Sequence, residues 1–290
     1  MIGMTWKELI RKRVMLLTLM MTVIFLAAFW FVAQAIGNRN SGAWTDTGSM
    51  EFILNQVMLG SMILTLGFFF GSFVIAFLSI FSSVAVVAGE AEQGVLQALL
   101  SRPLPRWKWF LGRWIGYVSM GVLYAGLLFA CILGVAEYHA AVPGDAVTIM
   151  KGFALFALTV PLLVSLSMLG SCYFSAMGNG IVMTMLYSGG LLGGMIEKVV
   201  SMNMFRETNV KPLETVSGLL AIAMPADGLQ RRMLAELFSL DDVNSFIDLQ
   251  STLSLFGGAA LPSNSFLIYT VGYALMALLL GTWAFHRKDL

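Results

Sequence analysis

The stretch that decides the fold reads GFALFALTVPLLVSLSMLGSCYFSAMGNGIVMTMLYSGGLLGGMI, residues 152–196, and it carries no charge. As one helix it would extend about 68 Å at 1.5 Å per residue, more than twice the ~30 Å hydrocarbon core of a bilayer. Near its middle stands Met177-Gly178-Asn179-Gly180, which is turn chemistry. Gly-Asn-Gly in mid-membrane is poorly tolerated unless buried partners satisfy it. The stretch is therefore predicted to divide into two spans, near 150–176 and 181–196. The competing reading, one bent helix, would leave five spans and put the termini on opposite sides.

Working outward, four more charge-free runs cover 14–38, 52–89, 114–136 and 249–286. They predict spans near 14–36, 57–88, 109–135 and 265–285. The second would reach roughly 48 Å and so should tilt or protrude. The fold class expected is an all-α membrane protein with six transmembrane helices, one domain over 1–290. Composition agrees, with 58% apolar and 11% charged residues and a mean hydropathy of +0.84. A soluble domain carries roughly 25% charge. Disorder, a collagen-like chain and a disulfide scaffold are excluded by the same figures. Nucleic acid is excluded as a partner, because 17 basic against 16 acidic residues leave a net charge of +1. Cys131 and Cys172 lie in apolar runs and read as small hydrophobes in helix packing.

Lys and Arg set the orientation. With six spans, one side holds Lys7, Arg11, Lys12, Arg13, Arg102, Arg106, Lys108, Arg113, Arg287 and Lys288, while the short loops of the other hold Arg39 and Lys151. Both termini are therefore expected in the cytoplasm, with the protein multi-pass in the cell membrane. The first span is too long for a cleaved signal, and no small-residue cleavage site follows it.

Thr5 and Glu8 have capping-box spacing. Trp6, Leu9, Ile10 and Arg13 recur at helical spacing, with Lys7, Arg11 and Lys12 elsewhere around the circumference. The pattern describes either a short amphipathic helix along the membrane surface or a plain basic anchor.

The segment GEAEQGVLQALLSRPLPR, residues 89–106, is the most informative. Glu90 and Glu92 sit where a helix start favours negative charge. Val95, Leu96, Leu99 and Leu100 form one apolar stripe. Pro103 and Pro105 stop the helix, and Arg102, Arg106 and Lys108 with Trp107 and Trp109 return the chain to the lipid surface. A helix of two or three turns is too short to be stable alone. Its stripe needs a cover, either lipid or a soluble partner that delivers force, and periodicity does not separate the two.

The outer loop 197–264 carries five basic and eight acidic residues. Pro212 and Pro225 bracket an apolar stretch, Leu213–Met224, of about 18 Å. That is too short to span, so it lies at the interface or packs on the spans. Asp227 can cap a second helix carrying Leu229, Met233, Leu237 and Leu240. The loop reads as a helical cap.

Catalytic motifs are absent. There is no GxxxxGK[ST] phosphate cradle, no HExxH and no GxSxG. His139 and His286 have no ligand at metal spacing; Glu137, His139 and Asp145 read as a solvated loop. No cofactor or metal is expected on this chain. The spans carry no firm ionisable residue in their middles, which argues against an ion-coupled carrier. Gly67/Gly71, Gly112/Gly116 and the set Gly189, Gly190, Gly193 and Gly194 have small-xxx-small spacing, read first as packing within one chain and second as a homodimer seam. Phe68, Phe69, Phe70, Phe73, Phe77 and Phe81 crowd the second span. They read as lipid-facing bulk, with a greasy substrate path as the alternative.

Taken together, the basic N-terminal helix, six spans, the 89–106 segment, Met-Pro-Ala-Asp-Gly-Leu-Gln-Arg-Arg at 224–232 and the ending Phe-His-Arg-Lys-Asp-Leu at 285–290 resemble the permease subunits of type-2 ABC exporters. The likeness covers nearly the whole chain and is nearest the six-span branch that includes the copper-processing permease of nitrous oxide reductase maturation. It implies a permease domain over 1–290 that forms a homo- or heterodimer in membrane lipid. It also implies two separate cytoplasmic ATPase subunits that hold the ATP and Mg. By the same resemblance, Glu90, Glu92, Val95, Leu96, Leu99 and Leu100 belong to the coupling helix seated in an ATPase groove. The turn with Met177 and Asn179 is a second, smaller contact, and Trp6, Leu9, Ile10 and Arg13 belong to an elbow helix. The 197–264 loop is a candidate for an extracytoplasmic partner. Substrate does not transfer with the resemblance. The readings from other classes are a membrane scaffold or assembly factor without transport, and a secondary carrier.

Overall fold

The computed structural model describes residues 2–11, 13–38, 50–92, 105–139, 145–201, 211–237 and 262–287. Among these the chain forms ten helices and no strand: α1 (Ile2–Arg11), α2 (Arg13–Asn38), α3 (Met50–Ser83), α4 (Ala88–Glu92), α5 (Arg106–His139), α6 (Ala146–Tyr173), α7 (Ala176–Ser201), α8 (Lys211–Ala223), α9 (Ala226–Leu237) and α10 (Asn264–Arg287). Six of them, α2, α3, α5, α6, α7 and α10, are long and apolar enough to cross a membrane. The protein is an all-α multi-pass membrane protein.

The spans alternate in direction. Contacts of α1 with α5, the Glu90–Arg113 pair, and a bond from the Arg106 guanidinium to the His286 carbonyl (3.3 Å) gather α1, residues 88–92, the start of α5 and the end of α10 on one face, the basic face. On the opposite face Trp30 stacks on Tyr138 (centroids 5.3 Å apart), and Arg232 reaches the Pro262 carbonyl. α3 is the most buried span and α2 the least. α3 lies against α2, α5 and α6, while α6 also carries α9 and α10.

Part of the phenylalanine crowd turns inward. Phe68 is fully buried, with ring centroids 5.1 Å from Phe129 and 5.3 Å from Phe156, so it joins α3 to α5 and α6. Phe70 is exposed, as lipid-facing bulk would be. Cys172 is buried, its thiol reaching the Met168 and Gly281 carbonyls, and Cys131 is half-buried.

The break between the fourth and fifth spans falls at Phe174–Ser175, ahead of the predicted turn. α6 ends at Tyr173, and Phe174 is extended, its N–H bonded to the Gly170 carbonyl. Ser175 then caps α7, its hydroxyl accepting the Gly178 N–H at 3.3 Å. Met177–Gly180 is therefore helical. Gly-Asn-Gly survives there because the Asn179 amide has buried partners, described below. The second span, α3, also stops early, at Ser83, where residues 84–87 make a turn before α4.

The outer loop does not simply lie on the surface. Met224 packs against Gly190, and Leu220 against Gly193. Gly190 lies eleven residues before the end of α7, so the α8–α9 tip reaches about 16 Å below that end. The pair forms a hairpin packed along α7. Backbone carbonyls at its tip would be orphaned in lipid; the Tyr269 hydroxyl bonds the Ile222 carbonyl (2.7 Å) and the Tyr273 hydroxyl the Ala223 carbonyl (3.0 Å). Asp227 sits inside the first turn of α9 and pairs with Arg231 (2.8 Å), which also reaches Glu197 (2.9 Å). Leu229, Met233 and Leu237 are buried as their spacing predicts, and Leu240 lies outside the described residues.

Reporter fusions test the topology. Fusions after Ile36, Arg106, Val142, Gly178, Asp241 and Leu290 should read out, in, out, in, out, in. A cytoplasmic reading at Asp241 would sink the six-span arrangement.

Candidate functional site

The site grows from the point where α3 ends. Helical bonding continues to Val84, whose N–H bonds the Ile80 carbonyl at 2.8 Å. It then stops. The N–H groups of Val87 and Ala88 both donate to the Ser171 hydroxyl of α6, at 2.9 and 3.1 Å. The Val84 carbonyl accepts from Asn179 Nδ2 of α7 at 2.9 Å, and the same nitrogen donates to the Ser167 carbonyl at 2.8 Å. Residues 82–84 and 86–88 are buried, so each of these groups would be costly to leave unpaired.

From this anchored turn α4 leaves the core. The Glu90 carboxylate turns back to pair with Arg113 of α5, which also pairs with Glu8 of α1. The Arg113 guanidinium lies 5.6 Å from the ring centre of Trp109. One cation thus ties three elements of the basic face. Its fork of N–H donors suits two carboxylates at once, as a lysine ammonium would not.

α1 is docked on protein rather than lying on lipid alone. Thr5 is buried against Gly116, where any Cβ would lie 2.7 Å from the Thr5 Cβ. The Trp6 indole N–H donates to the Ser119 hydroxyl at 2.9 Å, and Leu9 is buried in the core. Lys7, Arg11 and Arg13 are exposed. The helix begins at Ile2, so Thr5 is an interior packing residue instead of the predicted cap.

The predicted coupling residues part company. Glu92 is exposed, whereas Glu90 faces the helix core through Arg113. Met177 is 81% exposed, whereas Asn179 is 0% exposed and offers no surface to a soluble partner. Val95, Leu96, Leu99 and Leu100 lie outside the described residues, as does the side chain of Ile10. Beside the start of α7, an apolar cavity of about 540 Å³ is bordered by Phe81 and Val84 of the α3 end and by Met177, Ile181 and Met185 of α7. Sequence reasoning missed Arg113, Ser171 and Ser175. The Ser175–Gly178 spacing was the available signal for the last of these.

With this geometry in view, comparison with protein families is decisive. The model of the ABC-2 family transporter proteins matches residues 4–290. The chain belongs to that family. It is the membrane subunit of an ABC transporter, the permease that such a subunit provides. A comparison with curated proteins finds no match. Among the described residues no group of three His, Cys, Asp or Glu is placed to hold a metal ion.

Proposed function

We propose that this permease exports a substrate, or transmits force across the membrane, using ATP hydrolysed by separate cytoplasmic ATPase subunits that hold the ATP and Mg. The basic face is the cytoplasmic one. The segment entered through Glu90 and Glu92 and continuing through Val95, Leu96, Leu99 and Leu100 seats in an ATPase groove. Met177 supplies the smaller contact, and Trp6, Leu9, Ile10 and Arg13 belong to the elbow helix. Two copies, identical or related, form the working unit. Within the family we place the chain nearest the six-span branch that includes the copper-processing permease.

One observation carries this reading. The turn from which the 88–92 segment departs is fixed by Ser171, Asn179 and Arg113 to three spans and the N-terminal helix. An element that only rested on lipid would need no such anchorage. An element that receives force must be rigidly joined to the spans it moves.

The test is co-purification from native membranes. An ATPase subunit should accompany the tagged permease, and hydrolysis should require it. The permease alone should hydrolyse no ATP, since the chain has no phosphate cradle. Hydrolysis by the single purified polypeptide would overturn the reading.

A further inference from the structure

We propose that Asn179 and Ser171 are positioning residues that bolt the 88–92 segment and the first turn of α7 into one rigid block, so that both proposed ATPase contacts move together. The description of these elements as contacts rests on the function proposed above; the bolt itself rests on geometry.

Had α3 continued, the Ala88 N–H would have bonded the Val84 carbonyl, four residues back. Each half of that bond has instead been given a side chain. Ser171 accepts from Ala88 at 3.1 Å and Asn179 donates to Val84 at 2.9 Å. Ser171 accepts the Val87 N–H as well, at 2.9 Å. The chain is therefore turned out of the helix without orphaning its polar groups. Both neighbours of Asn179 Nδ2 are carbonyl oxygens, so the amide orientation is settled by chemistry. Its Oδ1 rests on Gly170, where a Cβ would come within 2.2 Å of it. One fully buried side chain thus joins the end of α3, the last turns of α6 and the start of α7. Met177, two residues before Asn179, and Glu92, four residues after Ala88, are the exposed tips of the block.

The experiment uses purified permease in lipid nanodiscs, with Cys131→Ser and Cys172→Ala, and spin labels on Glu92→Cys and Met177→Cys. The unmodified block should give one narrow distance. Asn179→Ala should broaden it, and so should Gly170→Ala, which removes no hydrogen-bonding side chain but evicts the amide. If Asn179→Ala is not recovered from membranes, Asn179→Asp keeps the shape, loses both donors and serves the same comparison. With the ATPase that co-purifies with the wild-type chain, these variants should still bind it, while permease-stimulated hydrolysis falls about tenfold, the scale of one lost buried bond.

Rescue separates a bolt from general damage. A Cβ on Gly180 would lie 3.6 Å from Val84 Cγ2, so the two positions face each other. In the unlabelled protein, Val84→Cys with Gly180→Cys joined by a short bis-thiol crosslinker should restore hydrolysis to Asn179→Ala, and the same pair left uncrosslinked should not. An unchanged distance with full hydrolysis in Asn179→Ala, or no recovery on crosslinking, would overturn the proposal. If no ATPase binds the wild-type chain, the functional reading falls, and the spin-label distances still decide the bolt.

Discussion

Changing Leu96 and Leu99 together to alanine should strip the ATPase from the permease in a pull-down, while the amount of permease in the membrane stays normal. If these side chains are buried across a protein interface, each loss costs about 1–3 kcal/mol of transferred apolar area, before any cavity term. Two such losses weaken association by roughly two orders of magnitude or more, since ~1.4 kcal/mol is tenfold. On lipid alone the double change would weaken surface adhesion and little else. No span is touched, so insertion serves as the internal control. The two glutamates sharpen the test. Glu92 is exposed and free to meet a partner, so Glu92→Lys should also reduce binding. Glu90 faces Arg113, so Glu90→Lys should act by loosening the permease face itself. Undiminished pull-down and full coupled hydrolysis in Leu96→Ala/Leu99→Ala and in Glu92→Lys would show that this segment is not the coupling element.

The spans were legible because hydropathy is additive along the chain; six helices of the required length and apolarity stand where the charge-free runs are. Their ends were not, because ends are set by partners distant in sequence. Gly178-Asn179-Gly180 reads as a turn when taken alone. Val84, 95 residues away, and Ser167, 12 away, make it helical. The cap that starts α7 was readable in principle, as a serine three residues before a glycine N–H. The α9 apolar spacing predicted which side chains are buried but not how deep the hairpin sits. That depth depends on Gly190, Gly193 and Gly194 leaving a groove on α7 for Met224, Leu220 and Asp227. Their small-xxx-small spacing was visible without saying what filled it. Arg113 entered the sequence reading only as one positive charge among ten. Its role needs Glu8, 105 residues away, and Glu90, 23 away.

Arg113→Ala should therefore do more than lower a charge count. It removes the cation that bridges Glu8 and Glu90. Arg113 and Glu90 are each 15% exposed and Glu8 36%, so the cost falls between two regimes. Exposed pairs contribute about 0–1 kcal/mol, and breaking a buried pair costs about 3–5 kcal/mol. A loss near 2 kcal/mol is expected, most of it from the Glu90 side, where screening is weaker. Arg113→Lys should recover only part, because one ammonium does not fork to two carboxylates. Adding Glu8→Gln and Glu90→Gln to Arg113→Ala should recover less than the lysine does, because the repulsion is removed but the tie is not restored. The measurements are thermal unfolding in detergent, protease cleavage near α1 and permease-stimulated hydrolysis. Arg113→Ala should unfold earlier, expose α1 to cleavage and couple poorly, with the order Arg113, Lys, triple variant and Ala resolved by all three. High salt should change little for the wild type, since the pair is shielded, and should lessen the defect in Arg113→Ala by screening the two carboxylates. Wild-type unfolding, cleavage and coupling in Arg113→Ala would mean that the N-terminal helix is held by Thr5, Trp6 and Leu9 alone, and that the cation has no part in carrying motion from the 88–92 segment to the spans.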